Sequence, residues 1–451
     1  LAEQINQMFV DNNFPLELTN SRTILLHKKG DPHDIGNYRH ISLLTTTYKV
    51  LTRVLTKRIQ DQIGNQIPAE QAGFRQKFST VDHIMSLNLL FEKAREWKLP
   101  IYATFIDFQK AFDTVQFEAI WAALRHYKLD DCTIRMIQQL YVAGKSSVVV
   151  GNSLAPYSTQ RGVRQGDSLS PLLFIITLQY ALDQLKWDSF GIKIGTKRLQ
   201  YLAYADDIVL LSSNKQELQQ MLNELATVCA KAGLQINVAK TKAMSTLKDP
   251  INLQVNNINI EQVENFTYLG QLITQPRDQK REIGKRIACA WASFNKAKSL
   301  LTNRLVSMDT KRRYVQMCVV PALLYGCETW ALTKANENRL ARCQRAMERR
   351  ILNIRLINKH PNKWIRQQTG QKDFVEAYRT RKWKHLHKML SRGERWDKQL
   401  LDWTPAEKRP LGRPPTRWQD DFKKVAGSMW KQKAAQTTWL KEASAFAIRQ
   451  R

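Results

Sequence analysis

No stretch of this 451-residue chain is apolar for long enough to cross a bilayer, and no signal peptide stands at its start. Its six cysteines (Cys132, Cys229, Cys289, Cys318, Cys327 and Cys343) form no Cys-x-x-Cys pair and no Cys/His cluster. That pattern argues against zinc and leaves buried free thiols in a reducing compartment as the expected state. Internal repeats and long low-complexity tracts are absent too, which argues against solenoids and arrays. The chain starts at Leu1 and not Met, inside what reads as a helix, so a fragment lacking an upstream part is the expectation.

What is present is basic charge. Of the formal +30, residues 271–451 carry +26 (41 Lys and Arg against 15 Asp and Glu), and residues 1–270 only +4. Nine of the 12 Trp also fall after residue 270. Basic side chains release counterions from phosphates, and aromatic faces stack on bases. The C-terminal part is therefore expected to grip nucleic acid; a generic solvated basic surface is the alternative. With 43% hydrophobic and 24% charged residues the composition is otherwise globular, and the length suits two to four domains or subdomains.

Acidic residues are few enough that their placement matters. Tyr204-Ala205-Asp206-Asp207 sits between Leu199–Ala203 and Ile208–Leu211, apolar runs that predict a β-hairpin with the acidic pair at its tip. Adjacent carboxylates repel each other, and a divalent cation with a taste for hard oxygen ligands is the usual reason to hold them together. A solvated acidic turn is the plain alternative. A further carboxylate, Asp107, follows the alternating Ile101–Thr104 in Phe105-Ile106-Asp107-Phe108-Gln109-Lys110-Ala111-Phe112-Asp113, which puts it at a strand end. Between the two lies a Gly-punctuated polar loop, residues 161–171, followed by a largely apolar helix to about Leu185.

Elsewhere the pattern predicts helices over about 1–10, 46–63, 81–97, 115–127, 131–143 and 215–232, with a turn at Asn12–Pro15 and strands at Thr23–His27 and from Val148. A β-rich segment from near Ile251 closes at Phe266–Gly270, and the chain after 280 reads as helical with breaks at Pro321, Pro361 and 408–415. Strands mixed with helices, then helices alone, predict an α+β core with a helical extension.

In their order and spacing, the Asp107 strand, the 161–171 loop and Tyr204–Asp207 resemble the palm of a reverse transcriptase. The resemblance is nearest to non-LTR retrotransposon enzymes, and Leu324–Trp330 with Gly412–Trp418 resembles the C-terminal region of RTE-type elements, so it covers nearly the whole chain. It implies a right-hand polymerase: fingers and palm with an antiparallel sheet over 1–270, a helical thumb over 271–345, and a basic, Trp-rich, mainly helical nucleic-acid-binding region over 346–451. The implied activity is RNA-directed DNA polymerisation with two Mg²⁺ ions, Mn²⁺ being the other candidate, on template RNA, a primer or target DNA, and dNTPs. Asp107 and Asp206 are the implied bridging ligands, and Asp207 completes the acidic cluster, chiefly as electrostatic support. Asp113 is equally well read as a structural acceptor.

Phe112, five residues after Asp107, stands where such enzymes place a steric gate against ribose; plain core packing is the other reading. Gln165 and Gly166 match the loop that meets the incoming nucleotide, with Arg164 equally a surface charge. Arg39 and Lys28 or Lys29, with Lys29 preferred, match triphosphate-binding groups, and Arg75 fits a further finger motif. Two departures weaken the finger assignments: Lys77-Phe78 where Gly-Arg is common, and His40 where Pro follows Tyr-Arg. Tyr204, together with Tyr268, Leu269 and Gly270 in a primer-grip-like hairpin, is expected at the primer, as are Lys240, a candidate acid for pyrophosphate, and Arg413 and Arg417, in a piece resembling a minor-groove hook. The resemblance implies no membrane partner and an intracellular protein that acts in the nucleus and assembles with RNA in the cytoplasm. No zinc knuckle, endonuclease or ribonuclease H constellation is found. A non-catalytic nucleic-acid-binding remnant or host-adopted derivative is the alternative function, and RNA synthesis or untemplated addition a third.

Overall fold

The computed structural model describes residues 2–11, 14–142, 145–247 and 249–449, and divides into two compact units. Leu1, the Asn12-Asn13 part of the expected turn and Ala143 lie outside the described residues.

The first unit comprises residues 1–79, 102–243 and 249–262. At its centre Tyr102–Ile106 lies antiparallel to Asp207–Ser212, which in turn pairs with Tyr201–Tyr204. Lys242 and Ala243 run parallel to Glu261 and Gln262 in the same sheet. Every residue of Tyr102–Ile106 is buried, and the strand reads as an unbroken apolar and β-branched run. Helix Ser170–Leu182 is apolar on nearly all faces, so it is swallowed by the core between helices Phe117–His126 and Lys215–Lys231. A second sheet orders Tyr38–Leu43, Ser21–His27, Ser146–Val150 and Ser153–Tyr157, with a parallel pairing between the middle two. Helix Thr46–Ile63 has the predicted bounds. Thr45 caps its N-terminus by accepting from the Tyr48 N–H, and Tyr48, Leu51, Leu55, Ile59 and Ile63 turn inward at helical spacing.

The second unit comprises residues 80–101, 244–248 and 263–451. It takes in helix Thr80–Trp97, far upstream in sequence from the rest of the unit. Three acids on that helix receive the C-terminal chain. Asp82 accepts from Arg392 at 2.9 Å and Arg395 at 3.0 Å, Glu92 from Arg277 at 2.8 Å and the Trp418 main-chain N–H at 2.9 Å, and Glu96 from Arg417 Nε at 2.8 Å. The extra charge of the C-terminal part is thus partly spent inside the fold.

Two expectations for this part are corrected. Pro321 does not break its helix. Met308–Tyr314 runs through a π-helical turn, Val315–Val319, into Val320–Leu323. The wider turn accommodates a ring that has no N–H and would clash with the carbonyl one turn back. The Trp-rich composition also has another use than base stacking. Trp330, Trp383, Trp396, Trp418, Trp430 and Trp439 are buried, and Trp383 packs on Phe422, Trp439 and Phe446 with ring centroids 4.8–5.0 Å apart. Lys382 is wholly buried in this cluster, over the Trp418 and Phe422 rings, and ion-paired to Asp421 at 2.6 Å.

Candidate active site

The antiparallel register between the central strands pairs Phe105 with Val209 and Ile106 with Ile208, so its next step sets Asp107 opposite Asp207. Tyr204 pairs with Asp207, leaving Ala205-Asp206 as a two-residue turn. Ala205 takes φ 57°, a left-handed conformation that a residue with a Cβ rarely adopts. Asp107 and the adjacent pair Asp206-Asp207, about a hundred residues apart, are thereby gathered at one end of one sheet.

The turn is held from beneath by a side chain of the finger motif that includes Arg75, in a role that the sequence did not reveal. Gln71, fully buried, accepts the Ala205 N–H at 3.0 Å and the Gly73 N–H at 3.0 Å through one oxygen. Main-chain bonds from Ala72 to Ala203 and from Ala203 to Glu70 dock the same loop along the hairpin. Gly73 is required by this approach, since a Cβ there would lie 2.2 Å from the Ala205 nitrogen. The Gln71-Ala72-Gly73 signature is a bracket for the acidic turn. Arg75, expected at the nucleotide, donates to the Pro68, Gln71 and Gly64 carbonyls and lies over Phe78, bracing the same loop.

Electrostatics tie the cluster together. Burial raises the proton affinity of Asp206 and the charge of Asp107 adds to it, while Lys28 and Arg39 oppose it. Asp207 is pushed up to about 6 by desolvation and by the charges of Asp206 and Asp107, although part of its side chain faces solvent. Lys240 Nζ stands 3.6 Å from Asp107 Oδ1. Lys28 is lowered by burial and by Arg39 and Lys240, against the pull of Asp113 and Asp107. Lys28 therefore shares the field of the acids.

Metal fit is partial. Asp107 Oδ1 is buried and receives no hydrogen bond, and Asp206 and Asp207 are both raised first by burial and then by neighbouring carboxylate charge. Among the described residues no three His, Cys, Asp or Glu side chains converge closely enough to hold an ion. Asp107 and Asp206 fit as hard oxygen donors to Mg²⁺ or Mn²⁺, and Asp207 acts on them through its charge.

Phe112 is half-buried, stacked on Phe174 at 4.5 Å and edge-on to Phe74 at 6.3 Å. Asp113 accepts from Gln165 Nε2 at 2.8 Å and lies 3.9 Å from His40 Nδ1, beside a cavity of about 430 Å³ that His40, Ser42, Asp113 and Gln165 help to line. Gly166, at φ 118°, passes so close to Ser42 that a Cβ would come within 2.6 Å of its carbonyl oxygen. Arg164 is not a surface charge: it is buried, donates to the Thr19 carbonyl at 3.0 Å, and lies over Tyr48 and Tyr141.

In the second unit, Tyr268 pairs with Gln271 across a Leu269-Gly270 turn, both turn residues having positive φ. Lys285, Arg286 and Tyr325 converge on that turn. The first two donate to the Gly270 carbonyl and the tyrosine hydroxyl to that of Leu269. Leu324–Trp330 is thus a brace for the hairpin. Arg413 is exposed, whereas Arg417 is bound to Glu96.

Comparison with known proteins follows the same outline. The model of the family described as reverse transcriptase (RNA-dependent DNA polymerase) matches residues 26–273. A transposon-derived protein of Caenorhabditis elegans is 30% identical over 244 residues, covering 51% of this chain and 87% of that protein. The RNA-directed DNA polymerase from transposon BS of Drosophila melanogaster is 30% identical over 362 residues, 75% of this chain. A Pol polyprotein from the type-1 retrotransposable element R2 of Popillia japonica is 26% identical over 356 residues, 76% of this chain. The matches span 39% and 49% of those last two proteins. On the strength of the family match, which takes in every residue of the acidic cluster, the chain belongs to the reverse transcriptases.

Proposed function

We propose that the chain extends a primer 3′-hydroxyl on an RNA template with dNTPs, as the polymerase portion of a non-LTR retrotransposon protein. The observation that carries this reading is the placement of Asp107, Asp206 and Asp207 at one sheet end, within the field of Lys28, Arg39 and Lys240. Asp107 and Asp206 would hold the divalent cations, which when bound activate the attacking hydroxyl and neutralise the leaving pyrophosphate. Arg39 and Lys28 bind the triphosphate and offset charge developing on it. Lys240, beside Asp107, is placed to give a proton to the departing pyrophosphate. Phe112, its ring pinned by Phe174, excludes a ribose 2′-hydroxyl, and Gln165, oriented by Asp113, meets the nucleotide sugar. The Leu269-Gly270 turn carries primer contacts.

Primer extension on an RNA template with Mg²⁺, dNTPs or rNTPs, tests the reading beside an Asp206→Ala protein. Extension with dNTPs that the variant loses supports it. Absence of extension by either protein, with salt-sensitive RNA binding retained, would establish a non-catalytic nucleic-acid-binding protein instead.

A further inference from the structure

The second unit presents a short loop that the proposed chemistry does not use. Residues 355–363 follow helix Lys334–Ile351 and include a single 3-10 turn, Leu356–Asn358. Leu356 and Ile357 project from it at 77% and 80% exposure. Single exposed aliphatics are ordinary, but this adjacent pair is held out by a rigid turn. Asn358 Oδ1 accepts the Arg355 N–H at 2.7 Å, the Asn358 N–H returns to the Arg355 carbonyl at 3.1 Å, and the Lys359 N–H to that of Leu356 at 3.0 Å. Asn353, bonded to the Thr302 carbonyl at 2.8 Å, and Arg349, donating to Asn362 at 3.0 Å, tie both ends of the loop to the helical body.

Charge around the pair has one sign. Residues 339–372 contain ten Lys and Arg and one acid, Glu348, which is buried against Arg345. Arg355 and Lys359 are exposed on the loop itself, Lys363 is exposed in the first turn of the next helix, Asn362–Thr369, and His360 stacks on Trp364 at 4.2 Å. An apolar tip ringed by cations matches a polymer with phosphates outside and stacked apolar faces inside. Proteins that enter a duplex groove use the same combination, an aliphatic wedge between base steps with basic groups on the flanking backbone.

We propose that residues 355–363 form a wedge for base-paired nucleic acid, with Leu356 and Ile357 entering a base step and Arg355, Lys359 and Lys363 holding the adjacent phosphates. This rests on the reading of the C-terminal part as a nucleic-acid-binding region, though not on polymerisation. Two aliphatic side chains are a small anchor for a bilayer, so the duplex is the better match to the same chemistry.

The test uses the full chain in the Asp206→Ala background, without nucleotides, so that loss of polymerisation does not affect the readout. A short RNA–DNA hybrid carrying 2-aminopurine at successive steps reports unstacking, and anisotropy reports affinity. The expected result is a rise in fluorescence at a local step that Leu356→Ala/Ile357→Ala removes, with affinity falling about 3- to 30-fold, as for a few kcal/mol of lost contact at most. Lys359→Ala/Lys363→Ala should lower the salt dependence of binding by about two phosphates' worth of counterions. Unchanged fluorescence and affinity in the aliphatic variant would overturn the proposal. So would a stronger effect of that variant on single-stranded RNA than on the hybrid, or on vesicles containing phosphatidylserine with the hybrid signal intact.

Discussion

Gln71 hangs the Ala205-Asp206 turn from a single oxygen: its Oε1 takes the Ala205 N–H at 3.0 Å while also taking that of Gly73. The side chain touches no substrate in the proposed reaction, yet it sets where Asp206 points. Gln71→Met keeps the volume and removes the one oxygen that accepts both N–H groups. The expected outcome is a fall in kcat for primer extension of about 10- to 100-fold, the usual effect of misplacing a reacting group by an ångström or less. Primer–template affinity should stay within about twofold, since only orientation is lost. An unchanged kcat would show that the hairpin holds the turn unaided.

Arg417 makes a different kind of prediction, because its partner Glu96 is almost wholly buried, at 3% side-chain exposure. Removing the guanidinium leaves that carboxylate with the longer ion pair to Arg409, 3.6 Å away, and the charge of Lys93. Arg417→Ala should therefore destabilise the chain by about 3 kcal/mol in denaturant melts, as expected for a buried charge deprived of its partner. Glu96→Ala/Arg417→Ala should recover part of that loss. A variant with full stability and weakened nucleic-acid binding would return Arg417 to the nucleic-acid surface.

What the sequence made legible follows from local physics. The acidic hairpin, the Asp107 strand end and helix 46–63 were readable because period, turn chemistry and capping act within a few residues, and the family resemblance followed from their order. The roles of Gln71, Arg75, Arg164 and Arg417 were not, since a polar side chain's partners are fixed by tertiary approach. The same residue types serve equally at a phosphate or under a loop. Lys28 and Lys29 show the limit clearly, because adjacent lysines in one turn differ only in which way each one faces. The Trp-rich tail misled for a related reason: large rings bury in a core as readily as they stack on bases.

Phe112 packs against the core, as one of its two expected readings had it, and the other, the sugar gate, is open to a direct test. Phe112→Val keeps an apolar side chain against Phe174 while clearing space for a 2′-hydroxyl. Discrimination between dNTP and rNTP, measured as the ratio of kcat/KM values, should fall by about 10- to 100-fold, since a steric clash of this size is worth a few kcal/mol. The stability loss should be smaller than for Phe112→Ala, which empties the site. If the ratio is unchanged while stability drops, the ring is core alone.

Asp397 gives the second unit a pH-dependent stability. It is buried, its Oδ1 accepts only the Lys398 N–H at 2.8 Å, and Oδ2 has no hydrogen bond. Burial, then the charge of Asp82, pushes it up to about 7, against the opposing pull of Arg395 and Arg392. The unfolded carboxyl titrates near about 4. Between these values the folded chain holds a proton that the unfolded chain has released, so stability falls as pH rises from about 4 to about 7 and is level above. The stabilisation lost over that window is at most about 4 kcal/mol for this group. Asp397→Asn, which cannot ionise, should remove this fall, so that its stability relative to the parent grows from pH 4.5 to pH 8, and raise the melting temperature at pH 8 relative to the parent. His385, pushed down to about 4 mainly by burial, acts with the opposite sign between about 4 and about 6.5, where the unfolded imidazole holds a proton that the folded one does not, so the difference between parent and variant is what isolates Asp397. Urea melts of both proteins at pH 4.5, 6 and 8 decide the matter. Parallel profiles for parent and variant would mean that Asp397 stays ionised in the folded chain, with Arg392 and Arg395 outweighing its burial.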